Sequence, residues 1–222
     1  MRNYLFYLFV FFSIILLSGF LSGKPIFAHE WFYVKWINDG DTIVLADGRH
    51  VRYIGINAPE IDHKNKKAEF FGYKAKEHNK TLVLSKMVHL EFDKETHDRY
   101  GRILAYVFLG NGVFVNKDMI EKGYAHCLSR RPNNKYDQTL LQSQRNAMSA
   151  ERGIWHNWKE KKGRYCGNKR SKRFHYTTCA FGKKIDRENK IVFICKWDAF
   201  WAGYAPCKKC MAGGRYELTI EN

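Results

Sequence analysis

WFYVKWINDGDTIVLADGRHVRYIGINAPE, residues 31–60, contains three short β-branched and aromatic runs: Phe32 to Ile37, Thr42 to Ala46 and Val51 to Ile56. Each has strand length and the side chains that suit a pleated, half-buried surface. Asp47-Gly48 separates the second run from the third, and a dipeptide that accepts positive φ at both positions predicts a hairpin. Pro59 ends the third run. Further out, Met87 to Phe92 alternates Val88, Leu90 and Phe92 with polar neighbours, the pattern of a half-buried strand. Ile103 to Leu109 and Val113 to Val115 flank Gly110-Asn111-Gly112, a second predicted hairpin. Helices are predicted over Ala68 to Leu84, Asn116 to Lys122 and Tyr136 to Arg152. In the last, Leu140, Leu141, Gln144, Ala147 and Met148 share a face with Tyr136, and Leu140, Leu141 and Met148 read as core. About five curved strands with helices packed at one side predict an α+β chain built on a small closed or partly closed barrel.

The chain has 222 residues, 45% hydrophobic and 27% charged, which describes a globular protein rather than a disordered one. That length accommodates one sizeable domain and a small appendage and excludes a multidomain machine. Lys and Arg number 38 against 22 acids, for a net charge of +16, which favours nucleic acid or an anionic membrane face as partner. Nothing in the sequence calls for a protein partner. Arg2 precedes an apolar run from Tyr4 to Gly23, and Lys24-Pro25-Ile26-Phe27-Ala28 follows it. Residues 1–28 therefore read as a signal peptide of an exported (secreted or periplasmic) protein. The alternative is a membrane anchor formed by residues 4–23, since about 20 apolar residues suffice to span a bilayer. Residues 1–28 hold only Arg2 and Lys24 of the basic total, so the positive character belongs to the remainder.

Four local motifs carry the chemistry. Asp39-Gly40-Asp41-Thr42 sits at a strand start, where alternate side chains point the same way and so place two carboxylates on one side, as a hard cation needs. Arg52 lies mid-strand among apolar neighbours, and Asn57-Ala58-Pro59-Glu60 follows directly. Asp98-Arg99-Tyr100-Gly101-Arg102 enters another strand. Taken singly, such acidic turns are usually caps and such arginines usually face solvent. Taken in order, DGDT, VRYIGINAPE, DRYGRILAY and VNKDMIEKGYA resemble the staphylococcal nuclease (thermonuclease) family, over residues 31–157.

The resemblance implies a five-stranded OB-type barrel with three helices, and a metal-dependent phosphodiesterase acting on DNA and RNA. It implies Arg52, Glu60 and Arg102 as catalytic residues, with Glu60 activating water and both arginines holding the phosphate. Asp41, Asn57 and the Ala58 carbonyl would hold Ca²⁺, with Asp39 and Thr42 in support, and Mg²⁺ or Mn²⁺ as alternatives. The family pattern has aspartate where this chain has Asn57, so one formal charge leaves the metal shell. Weaker binding or a broader choice of cation is expected. Tyr100 resembles a nucleotide-facing tyrosine, and Lys64, Lys66 and Lys67 are placed to neutralise phosphates beside the groove. A rival reading is a nucleic-acid-binding module of the same fold that has lost catalysis. The presence of Asp41, Arg52, Glu60 and Arg102 argues against it. A membrane-associated scaffold leaves the four motifs unexplained.

Lys159-Glu160-Lys161-Lys162-Gly163-Arg164 marks a linker, after which residues 165–212 change in composition. His175, Cys179, Cys207 and Cys210 form an H-x3-C pair and a C-x2-C pair separated by a loop, the spacing of a tetrahedral structural Zn²⁺ site. Disulfides are the alternative in an exported protein. Cys127, Cys166 and Cys195 are left over, an odd number, and read as small buried hydrophobes. GNKRSKRFHYTTC and WDAFWAGYAPCKKC resemble the Ada-type zinc-binding module. His175 stands where the repair version has its methyl-accepting cysteine, so that chemistry is not expected. Lys169, Arg170, Lys172 and Arg173, with Lys208 and Lys209, predict a second nucleic-acid contact in this small C-terminal zinc-binding domain.

Overall fold

The computed structural model describes residues 30–62, 67–160 and 163–211. Segment 1–28, read as a leader or anchor, lies outside the described residues except by sequence, as do Lys64 and Lys66. Among the described residues, no helix is long and apolar enough to cross a membrane.

Strands β1 (Trp31–Asp39), β2 (Thr42–Leu45) and β3 (His50–Tyr53) run antiparallel in sequence order. β4 (Gly55–Asn57) leaves the barrel, and β5 (Met87–Glu91) and β6 (Ile103–Leu109) complete it in the order β1-β2-β3-β6-β5. The β3–β6 pair is parallel, and β1–β5 closes the ring antiparallel. Alternate side chains of these strands, including Val34, Ile43, Leu45, Val51, Val88, Leu90, Ile103 and Val107, are buried together. The five-stranded barrel expected from the sequence is present. Phe92, expected to continue the inward stripe of β5, lies past the strand end and is exposed.

The predicted strand Val51 to Ile56 breaks in two. Gly55 has φ +79°, and a Cβ there would come within 2.4 Å of a Leu140 methyl. The chain can therefore turn only at glycine, and β4 pairs with β7 (His126–Leu128) in a separate two-stranded sheet. The break exposes backbone groups that buried Asn116 satisfies. Its amide donates to the Ile54 carbonyl at 2.8 Å and accepts from the Val107 N–H at 2.9 Å. The turn also directs residues 57–60 away from the barrel sheet.

Three helices accompany the barrel: α1 (Gly72–Val83) packs on β1, α2 (Val115–Glu121) on β6, and α3 (Asp137–Ser149) on α2 and the β4–β7 pair. α1 starts later than Ala68 because Phe71 takes a left-handed φ of 71°. The predicted strand Val113 to Val115 reduces to one bridge, Phe108 to Phe114, since buried Val115 opens α2.

The C-terminal region is a four-stranded sheet of β8 (Tyr165–Asn168), β9 (Arg173–Tyr176), β10 (Lys190–Phe193) and β11 (Ala205–Pro206), ordered β10-β8-β9-β11. Short helices α4 (Ala180–Lys183) and α5 (Lys196–Trp201) accompany it. Its core is shared: Ala147, Met148, Ile154 and Trp155 pack with Phe174, Ala199 and Phe200. Gln144 of α3 spans the junction, accepting from the Cys127 N–H at 2.6 Å and donating to the Phe200 carbonyl. Glu160 of the predicted linker is tied down as well. The Glu160 carboxylate accepts the N–H groups of Lys196 and Trp197, at 3.1 and 2.9 Å, at the start of α5. Cys127 and Cys166 are buried as expected of small hydrophobes, whereas half-buried Cys195 caps α5 by accepting from the Asp198 N–H at 3.4 Å.

Candidate active site

Asp39 ends β1 and Thr42 begins β2, so Gly40-Asp41 is a turn rather than the strand start expected. A Cβ on Gly40 would lie 2.6 Å from that of Ala58 and 2.8 Å from that of Ala75, so the turn packs directly on the 57–60 segment and on α1. Asp39 shapes the turn. One of its oxygens accepts the Asp41 N–H at 2.9 Å and the other accepts from Asn38 at 3.0 Å.

Asp41 is buried, and its carboxylate receives the Arg52 guanidinium at 2.9 Å, the Ala58 N–H at 2.8 Å and the Thr42 hydroxyl at 3.1 Å. Burial pushes its pKa up to about 7, with Arg52 pulling the other way and Asp39 and Glu60 adding to the rise. Arg52, cross-strand from Thr42, also donates to the Ile56 carbonyl at 2.8 Å and comes within 3.5 Å of the Asn57 side-chain oxygen. The Asn57 amide donates to the Ala58 carbonyl at 3.1 Å.

Glu60 is half-exposed. Its N–H donates to the Glu69 carboxylate at 3.0 Å, its carbonyl accepts the Glu69 N–H at 2.8 Å, and its own carboxylate lies 3.5 Å from Lys208 Nζ. Arg102 forks onto Asp98 through Nε at 2.9 Å and Nη2 at 2.7 Å. Burial would raise the Asp98 pKa, but this fork and the N–H groups of Tyr100 and Arg102 hold it below the ordinary carboxylate value. Tyr100 is 69% exposed, with the guanidinium groups of Arg99 and Arg102 over its ring at 4.8 and 5.6 Å.

Arg52, Asn57, Tyr100 and Arg102 line one groove of about 590 Å³, together with Arg170 and Arg173 from the C-terminal region. Asp41, Thr42 and Ala58 lie buried behind it, and Glu60 reaches it through Lys208, which is also in the lining. Lys67 is exposed and does not line the groove. Lys169 is directed elsewhere, donating to the Glu188 carbonyl at 3.0 Å, and Lys172 lines a smaller cavity with Asp137. Arg99, Arg130 and Arg131 also line the groove and were not singled out from the sequence. The adjacent arginines ahead of Pro132 were the available signal. Their loop is pinned by Asn133, which exchanges hydrogen bonds of 2.7 Å with the Glu95 backbone.

Among the described residues, His175, Cys179, Cys207 and Cys210 form the one group of three or more His, Cys, Asp or Glu able to hold a metal. Their ligand atoms all lie within 4.8 Å of one another, and the Cys179 Sγ is 3.6 Å from His175 Nδ1. A tetrahedral ion with metal–sulfur bonds of about 2.3 Å sets its ligands roughly 3.7 Å apart, so the quartet fits Zn²⁺. All six cysteines are free thiols. The Asp41, Asn57 and Ala58 oxygens suit a hard cation in donor type, with one carboxylate among them.

The family described as Staphylococcal nuclease homologue matches residues 50–157, and that match stops short of the Cys/His quartet. The chain is 38% identical over 134 residues to the thermonuclease of Staphylococcus hyicus, covering 59% of this chain and 79% of that protein. It is 37% identical over 129 residues to the thermonuclease of Staphylococcus intermedius, covering 57% and 76%. Over 122 residues it is 37% identical to endonuclease YncB of Bacillus subtilis, covering 53% and 57%.

Proposed function

Because this chain belongs to the staphylococcal nuclease family, we propose that it is an exported, metal-dependent nuclease hydrolysing the phosphodiester bonds of DNA and RNA. The observation that carries this reading is the gathering of Arg52, Asn57, Tyr100 and Arg102 around one groove, with Asp41 buried behind them. Arg52 and Arg102 each keep a carboxylate partner, Asp41 and Asp98, which fixes the direction of the guanidinium fork. Both then donate to the nonbridging oxygens of the scissile phosphate, where negative charge grows in the transition state. Glu60, half-exposed beside the groove, accepts the proton of the attacking water. Tyr100 offers its exposed ring to a base.

Ca²⁺, or Mg²⁺ or Mn²⁺ in its place, would be held by Asp41, Asn57 and the Ala58 carbonyl, with Asp39 and Thr42 in support, and would supply positive charge against the phosphate. Zn²⁺ on His175, Cys179, Cys207 and Cys210 would staple the small C-terminal sheet, whose core is shared with Ala147, Met148, Ile154 and Trp155. Export rests on the apolar leader at residues 1–28 and an extracytoplasmic role on the same segment, with anchoring through residues 4–23 as the alternative.

One observation favours a second reading, a catalytically weak nucleic-acid-binding module. The Asn57 amide donates to the Ala58 carbonyl, so it competes there with the cation that this oxygen would hold. Incubating the full chain with denatured DNA and with RNA in Ca²⁺, Mg²⁺ or chelator separates the two. The nuclease reading expects metal-dependent cleavage that Glu60→Gln lowers by about 10²-fold or more. Binding without cleavage under every cation would overturn it in favour of the second reading.

A further inference from the structure

We propose that the C-terminal region is the second wall of the catalytic groove: Arg170 and Arg173 hold phosphates flanking the one being cut, and Lys208 positions Glu60. This rests on the nuclease reading and adds residues that the matched family segment, residues 50–157, does not contain. Arg52, Tyr100 and Arg102 line the groove from the barrel, and Arg170, Arg173 and Lys208 line it from the C-terminal sheet.

Local structure fixes the backbone that carries Arg170 and Lys208, and the guanidinium of Arg173 itself. Arg170 sits in the β8–β9 turn, where the Asn168 side chain accepts the N–H groups of Arg170 at 2.9 Å and Ser171 at 3.2 Å. Arg173 donates to the Pro206 carbonyl at 3.1 Å, immediately before Cys207. Lys208 follows Cys207, whose N–H donates to the Phe174 carbonyl at 2.9 Å, and the same turn closes with the Met211 N–H on the Cys207 carbonyl at 3.0 Å. From there Lys208 Nζ reaches the Glu60 carboxylate at 3.5 Å, with the two side chains 55% and 39% exposed. A pair that open to water adds little to stability. Its consequence is placement. It restrains the carboxylate that receives the proton and puts a cation beside the reacting phosphate. Phosphates entering the groove therefore meet guanidinium and ammonium groups on both sides, and a strand of several nucleotides touches both walls at once.

The test uses the full chain carrying Arg170→Gln, Lys208→Gln or Lys208→Arg, with Lys183→Gln as a control of equal charge change on α4, outside the groove lining. Arg170→Gln is expected to raise KM severalfold on an oligonucleotide of about eight residues and to lower the salt slope by about 0.7 to 0.9. It should leave kcat near the unsubstituted value. Lys208→Gln is expected to lower kcat severalfold, and Lys208→Arg to restore it. If Arg170→Gln and Lys208→Gln match Lys183→Gln in KM, kcat and salt slope, the proposal is overturned. It is also overturned if they alter only long substrates and leave the short oligonucleotide untouched, since that marks a separate site. Should the unsubstituted chain bind but not cleave, fluorescence anisotropy of the labelled oligonucleotide still reads the Arg170 salt slope. A nuclease failure is thereby distinguished from a groove failure.

Discussion

The barrel and the C-terminal sheet solve the same problem, holding a short chain together, by different means. The barrel closes its hydrogen-bonded ladder on itself and fills the inside with alternating aliphatic side chains such as Val34, Ile43, Val51 and Val107, so its stability is spread over many equivalent contacts. The C-terminal sheet leaves its ladder open and concentrates its packing on rings. Phe200 lies edge-on to Trp155 at 5.1 Å, to Phe174 at 5.3 Å and to Trp158 at 5.8 Å. Two of those rings, Trp155 and Trp158, precede the sheet in sequence and join it to α3. The lesson is that the smaller region adds its own rings to Ala147, Met148, Ile154 and Trp155 of the larger one, so the two share a core that depends on a few residues.

If that contrast holds, Phe200→Ala is the most damaging single change, expected to remove about 3–5 kcal/mol. Urea unfolding followed by tryptophan fluorescence and by far-ultraviolet circular dichroism should give coincident transitions shifted together. Separate transitions, with the barrel unmoved, would break the idea of a shared core. Gln144→Leu sharpens the point. It leaves the Phe200 carbonyl and the Cys127 N–H without their side-chain partner and should cost about 1–3 kcal/mol, felt equally by both regions.

The smallest expected effect lies on the barrel side. Burial would raise the Asp93 pKa, but the N–H groups of Lys135, Lys94 and Asn134 and the Tyr106 hydroxyl hold it below the ordinary carboxylate value. A depressed native pKa stabilises above the unfolded value and is lost as pH falls through the native one. Asp93→Asn should thus lower stability at neutral pH by a modest amount, with the gap to the unsubstituted chain narrowing on acidification. A gap that widened toward low pH would reverse the sign of this account.

Much of this architecture was legible because it rests on local signals. The barrel strands are runs of β-branched residues bounded by glycine turns, and the quartet at 175, 179, 207 and 210 follows from ligand spacing alone. What escaped depends on distant neighbours. The interruption at Gly55 is dictated by Leu140, and the late start of α1 by the backbone of Phe71. β7 has three residues, too few for a periodicity to register. The site shows the same division. Arg52, Glu60 and Arg102 are recognisable within their motifs, and Arg170 and Lys208 are recognisable as basic residues. That these last two line the same groove as Arg52 is a property of folding, which no local pattern encodes.

The Glu160 carboxylate at the start of α5, and the rings shared across the junction, bear on what a protease would accomplish there. A peptide bond cut between Glu160 and Gly163 would sever the polymer without dividing the particle. The two fragments would remain mated through Trp155, Phe200 and Gln144, migrating as one species in a native gel and as two once denatured.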